Sequence, residues 1–147
     1  MDRRQTIAKV STLIRLGETA EECYGRALSK LPDRETARRL AQMRADHRAH
    51  AEDMRGVLEA LGEDQQPRSE DFEWFATSLV DRVGKARKPA EVLARTRQAE
   101  AAVLVQYADA AERRLPLQAA RLVRRHLLRN EAHLDLIDEL WQSKRGA

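Results

Sequence analysis

The tightest constraint on this chain is a set of apolar seams at helical spacing that turn polar at mid-length. Leu40, Met43, His47, His50, Met54, Val57 and Leu61 recur at intervals of three and four. Val123, His126, Asn130, His133, Ile137 and Leu140 do the same. That spacing gathers side chains on one face of an α-helix, and such a face needs a helical partner. All four histidines lie on these two seams. A polar residue there is normally replaced by Leu or Ile unless it has a hydrogen-bond partner or a ligand.

The seams belong to four long segments. Segment A runs from about Arg4 to Lys30, with Ile7, Val10, Ile14, Gly17, Glu21, Tyr24, Leu28 and Leu31 on its seam. Pro32 stops it, and Asp33 is suited to cap the next helix. Segment B runs from about Arg34 to Leu61, with Gly62 as its stop. Glu63 to Arg68, with Pro67, reads as a connection. Ser69 caps a shorter helix bearing Phe72, Phe75, Leu79, Val80 and Val83, which Gly84 and the basic run Lys85, Ala86, Arg87, Lys88 end. Segment C runs from about Pro89, a residue suited to a first helical turn, to Arg114, with Leu93, Thr96, Glu100, Val103, Tyr107 and Ala110 on its seam. Leu115 and Pro116 break it, and segment D runs from about Leu117 to Ser143.

The chain also repeats itself. A shift of 83 residues carries Tyr24 onto Tyr107, Ala27 onto Ala110, Leu40 onto Val123 and His50 onto His133. The expected architecture is therefore a single all-α domain over residues 1–147, made of two duplicated helical hairpins packed as a four-helix bundle. The link between them is long enough to run the length of the bundle and carries the short extra helix.

Composition agrees. Charged residues make up 35% of the chain and aromatics 4%, a palette of long solvated helices. The 27 Lys and Arg stand against 24 Asp and Glu with the signs interspersed, which does not favour a dedicated nucleic-acid face. The single Cys23 excludes an internal disulfide framework. No apolar run approaches membrane-span or signal-peptide length, so a soluble, cytoplasmic protein with no membrane partner is expected.

At mid-helix the four seams offer Gly17 and Glu21, His47 and His50, Glu100, and His126, Asn130 and His133. Imidazole with carboxylate suits iron, manganese or zinc. The duplicated hairpin, the stretch from Leu16 to Tyr24 (Leu-Gly-Glu-Thr-Ala-Glu-Glu-Cys-Tyr), the stretch from Arg97 to Tyr107 (Arg-Gln-Ala-Glu-Ala-Ala-Val-Leu-Val-Gln-Tyr) and the Leu115-Pro116 break resemble the ferritin-like superfamily, and within it an uncharacterised bacterial group of ferritin-related bundles. The resemblance implies a ferritin-like four-helix bundle. It also implies a metal centre of one Glu from each of two helices and a Glu-x-x-His pair from each of the other two. His50, His133 and Glu100 match that pattern. His47 and Asn130 stand where it has glutamates, and Gly17 stands where the first helix would give one.

Two readings follow. In one, an altered site binds a single transition metal through His47, His50, Glu100 and His133, with Glu21 as a further ligand. In the other, the layer is metal-free and fixes helix register through His–Glu hydrogen bonds, as a buried Asn does in coiled coils. A third reading, a nucleic-acid-associated stress protein, draws on Arg121, Arg124, Arg125 and Arg129 with Arg34, Arg38 and Arg39, a set that also suits a solvated helix face. Tyr24 and Tyr107 read as core residues with bonded hydroxyls. The helix around Trp74 and Phe75 reads as a cover for the bundle or a contact in a homodimer. No nucleophilic triad or glycine-rich phosphate loop marks an enzyme.

Overall fold

Helix ends fall where the local chemistry puts them. Asp2 accepts a hydrogen bond from the Gln5 N–H while the Gln5 side chain accepts from the Asp2 N–H, a reciprocal cap that opens α1 (Arg3–Leu28). Asp33 accepts from both the backbone and the hydroxyl of Thr36 to open α2 (Arg34–Ala60). That helix closes at Gly62, whose φ of 80° is the left-handed turn that glycine accepts without strain. There the Glu63 and Gly62 N–H groups return to the carbonyls of Leu58 and Glu59. Ser69 caps α3 (Glu70–Lys85), and Pro89 occupies the first turn of α4 (Pro89–Ala111). The last helix is α5 (Leu117–Arg145).

These five helices come from a computed structural model that describes residues 1–63 and 69–145. Of the expected connection between Glu63 and Arg68, residues 64–68 lie outside the described set. Several helix ends differ from the sequence expectation, by one to three residues. The third long helix stops at Ala111 rather than Arg114, and the crossover helix continues through Gly84 and Lys85. Gly84 is tolerated inside α3 because the Arg26 guanidinium lies against it, where a β-carbon would stand 3.2 Å away.

Cross-helix pairs fix the topology. Asp46 meets His133 and Asp53 meets His126, so a seven-residue advance along α2 matches a seven-residue retreat along α5. Glu100 meets His133 and Tyr107 meets His126, so α4 and α5 are also antiparallel. Glu18 with Arg55 and Glu21 with Arg48 give the same relation for α1 and α2. Helices α2 and α4 therefore run parallel, which a short turn cannot connect, and the segment holding α3 makes the return. Helix α3 lies against α1 and α4 and buries Ala76, Leu79, Val80 and Val83 there.

The four expected seams form the core. Ile14, Leu40, Met54, Leu93, Val123 and Ile137 have no accessible surface. Gly17 lets α1 and α2 approach closely: a β-carbon there would stand 3.2 Å from that of Ala51 and 3.4 Å from the His47 carbonyl oxygen. Among the described residues no helix is long and apolar enough to cross a membrane.

Candidate metal centre

Glu100 is the hub of the polar layer. It sits mid-way along α4 with no accessible surface, and a single oxygen, Oε1, takes three hydrogen bonds. The Tyr24 hydroxyl donates to it at 2.6 Å, His47 Nε2 at 2.8 Å and His133 Nδ1 at 3.0 Å. The donors come from α1, α2 and α5, so all four long helices meet at one atom. Burial alone would push the Glu100 carboxyl up, but the two imidazoles outweigh it and hold it far below the usual carboxylate range. Burial, and then the contact with Glu100, raises the Tyr24 phenol well above its ordinary value.

On its outer side, His133 Nε2 donates to Asp46 Oδ2 at 2.8 Å. Two ionised carboxylates accept only, so an imidazole between them carries both protons. Burial lowers the His133 pKa, yet Glu100 and Asp46 together raise it above its ordinary value, in keeping with an imidazolium.

A second chain lies one heptad along. His126 Nε2 donates to Asp53 Oδ2 at 2.9 Å, and the Tyr107 hydroxyl donates to His126 Nδ1 at 3.0 Å. Here the inner partner is a phenol, which can donate as well as accept, so nothing holds a second proton on the ring as Glu100 does at His133. Burial lowers the His126 pKa despite the nearby Asp53. His50 lies between the two chains, its ring stacked on His126 at 3.9 Å between centroids. Burial, then the neighbouring imidazoles, push His50 down to about 2.

Of the residues expected at the site, His47, Glu100 and His133 come together, with one ligand atom from each lying within 4.8 Å of the others. His50 shares the layer but stands outside that group. Glu21 does not join it: its carboxylate binds Arg48 at 2.5 and 2.8 Å, at the rim between α1 and α2. The seam of α1 runs through Gly17, Ala20 and Tyr24, and Ala20 has no accessible surface while the Glu21 side chain keeps 21%. Placing Glu21 on the seam takes a step of four where the helix takes three. Asp46 and Asp53 were not expected at the site. Their signal was present, because they stand seven residues apart on the helix facing two histidines seven residues apart.

Several buried polar atoms here have no hydrogen-bond partner in the protein: Glu100 Oε2, His50 Nδ1, and both Oδ1 and Nδ2 of Asn130. Each such atom costs roughly 1–3 kcal/mol. The donor set can hold one metal ion. Tetrahedral ligands at about 2.05 Å stand roughly 3.4 Å apart, so the 2.8 and 3.0 Å bonds would open by about half an ångström. The set does not fit a carboxylate-bridged metal pair. Glu100 is the only carboxylate in the group, so no second carboxylate is there to bridge two ions. A groove of about 290 Å³ between α2 and α5 reaches the outer edge of this centre at Asp46 and His133, with Arg38, Arg39 and Arg129 on its lining.

The basic residues of α2 and α5 are divided: Arg38, Arg39 and Arg129 line that groove, and Arg121, Arg124 and Arg125 do not. Arg129 stands 3.7 Å from Asp46, Arg38 and Arg39 pair with Glu35, and Arg121, Arg124 and Arg125 are exposed. Comparison with known proteins assigns nothing further: no family model, no curated protein and no solved structure matches the chain.

Proposed function

We propose that this chain is a ferritin-like four-helix-bundle protein that holds one divalent transition metal ion through His47 Nε2, His133 Nδ1 and the Glu100 carboxylate. The carrying observation is the unpartnered Oε2 of a fully buried carboxylate on which two imidazoles from other helices converge. The ferritin-like part rests on the parallel pair α2 and α4, the return through α3 and the duplicated hairpin.

Charge supports the reading. Glu100 and Asp46 are anionic and His133 is cationic, so the three carry one net negative charge, which Arg129 offsets in part from 3.7 Å at the exposed side of Asp46. A divalent ion that displaces the His133 Nδ1 proton removes that excess. Two histidines and one carboxylate suit Zn²⁺, Fe²⁺ and Mn²⁺. Three protein ligands leave a coordination position for an exogenous molecule, which the ion would polarise as a Lewis acid. Around it, Asp46 orients His133 and Tyr24 holds Glu100 Oε1 in place.

The test is elemental analysis of protein purified without chelator or histidine tag, before and after incubation with Zn²⁺, Fe²⁺ or Mn²⁺. About one equivalent of a single metal is expected, lost in Glu100→Gln and His133→Ala, with a proton released per ion bound. Asp46→Asn should keep the site and weaken it about 10- to 100-fold. Less than about a tenth of an equivalent after reconstitution sinks the proposal.

One observation favours a metal-free reading, the direct His–Glu bonds at 2.8 and 3.0 Å. In that case the layer sets helix register and takes up no metal in the same experiment, while Glu100→Gln still lowers stability.

A further inference from the structure

Trp74 is the most exposed large apolar side chain among the described residues, at 74%, and Phe75 beside it keeps 39%. Both lie on α3; Trp74 stands opposite the buried Ala76, Leu79, Val80 and Val83, and Phe75 flanks them beside Phe72. A tryptophan left in water needs a reason, because it is one of the side chains most often found at interface centres.

The two ends of that outer face carry opposite signs, with Asp81 an exception near the basic end. Glu70 and Asp71 are exposed in the first turn, and Arg82 and Lys85 are exposed in the last. Among the described residues none of these four is held in an ion pair, whereas Glu73, on the inner edge, binds Arg15. The arrangement suits the dipole of α3 itself, but the dipole does not account for Trp74. A groove of about 280 Å³ also lies along this face, bounded by Trp74, Thr77, Ser78, Asp81, Arg82 and Lys85. Knob, groove and both signs of charge thus share one helix face.

We propose that this face is the contact with a second copy of the same chain, the two α3 helices lying antiparallel across a twofold axis near Ser78. Such an interface is self-complementary: each residue meets its counterpart at the mirrored position. About Ser78, Asp71 meets Lys85 of the other copy. Trp74 enters the groove beside Arg82 of the other copy, whose guanidinium lies over the indole. Both contacts occur twice. A parallel arrangement would set like charges together at both ends.

A contact made by one helix per copy sits at the low end of specific interfaces, so the dimer is weak, with Kd on the order of micromolar, and weakens with salt. None of this depends on the metal reading, since α3 carries no residue of the buried layer.

The test is sedimentation of the full chain from the micromolar to the submillimolar range, with circular dichroism to check that each variant is folded. The wild type should pass from monomer to dimer. Trp74→Ser should weaken association roughly thirtyfold. Asp71→Lys and Lys85→Asp should each disrupt the dimer, and the double variant should restore it, because the exchanged charges face each other again. A wild type that stays monomeric throughout overturns the proposal. So does a dimer indifferent to Trp74→Ser, and so does a double variant no better than either single one.

Discussion

At His133 the imidazole lies between Glu100 and Asp46; at His126 it lies between Tyr107 and Asp53. The two residues share a helix and a face, and each has an aspartate of its own, yet the first is favoured as a cation and the second as a neutral ring. The group on the inner side decides, because a carboxylate accepts and a phenol can donate. Asn130 stands between them on α5 with neither end of its amide bonded within the protein. Two desolvated polar atoms without partners are a net cost, and an apolar residue of similar shape carries none of it. Asn130→Leu should therefore raise the stability of the metal-free protein by about 1–3 kcal/mol in urea unfolding. A loss of stability would show instead that the amide is satisfied by a bound molecule.

Among the helices, α2 does the most to shape the centre. Its inner face gives His47 and His50, its flank gives Asp46 and Asp53, and its approach to α1 is set by Gly17. Two glycines in these helices predict opposite outcomes. At Gly17 a β-carbon would meet Ala51 at 3.2 Å and the His47 carbonyl at 3.4 Å, atoms of a packed helix that cannot swing aside. Gly17→Ala should cost about 1–3 kcal/mol and displace His47 from Glu100. At Gly56, in the exposed interior of α2, a β-carbon would meet nothing within 4 Å. Gly56→Ala should stabilise by about 0.5–1 kcal/mol through helix propensity alone. Thermal or urea unfolding of the pair is the check, and equal shifts in one direction would refute the close approach.

For the molecule as a whole, the buried imidazoles set how stability responds to pH. The His50 pKa is about 2 in the folded state against 6.5 for a free imidazole, and that of His126 is lowered too. Below pH 6.5 the unfolded chain takes up protons that these folded sites refuse. Their contribution is complete above pH 6.5 and is lost as pH falls, at up to about 1.4 kcal/mol per pH unit for each group. His133 has the opposite sign: its raised pKa contributes below pH 6.5, and that part is lost as pH rises through the folded value. Two groups against one make acid the destabilising direction for the metal-free protein. Urea unfolding at pH 7.5, 6 and 5 should show declining stability, with a shallower decline in His50→Gln. Superimposable profiles for wild type and variant would refute the assignment.

The seams were legible in the sequence because helical periodicity is local. A residue's place on its own helix follows from spacing, and Leu40, His47, Glu100, Tyr107, Asn130 and His133 are all buried as the spacing requires. The breaks at Pro32, Gly62 and Pro116 were legible for the same reason, since they act through their own backbone. The repeat and the length of the crossover also indicated that the second and third long helices run the same way. Where one helix stands relative to another is not local, and periodicity could not supply it. Glu21 and Ala20 lie one residue apart, and only the position of α2 sends the first to Arg48 and the second into the core. Asp46 and Asp53 read as surface acids until α5 lies beside them with His133 and His126 at matching heights. Spacing along a single helix, which the sequence by itself supplies, was enough to turn most of the seam side chains inward, Glu21 being the exception. The tertiary structure decided which of them meet, and so which imidazole is charged, because hydrogen bonds between helices depend on the axial offset of one helix against the next.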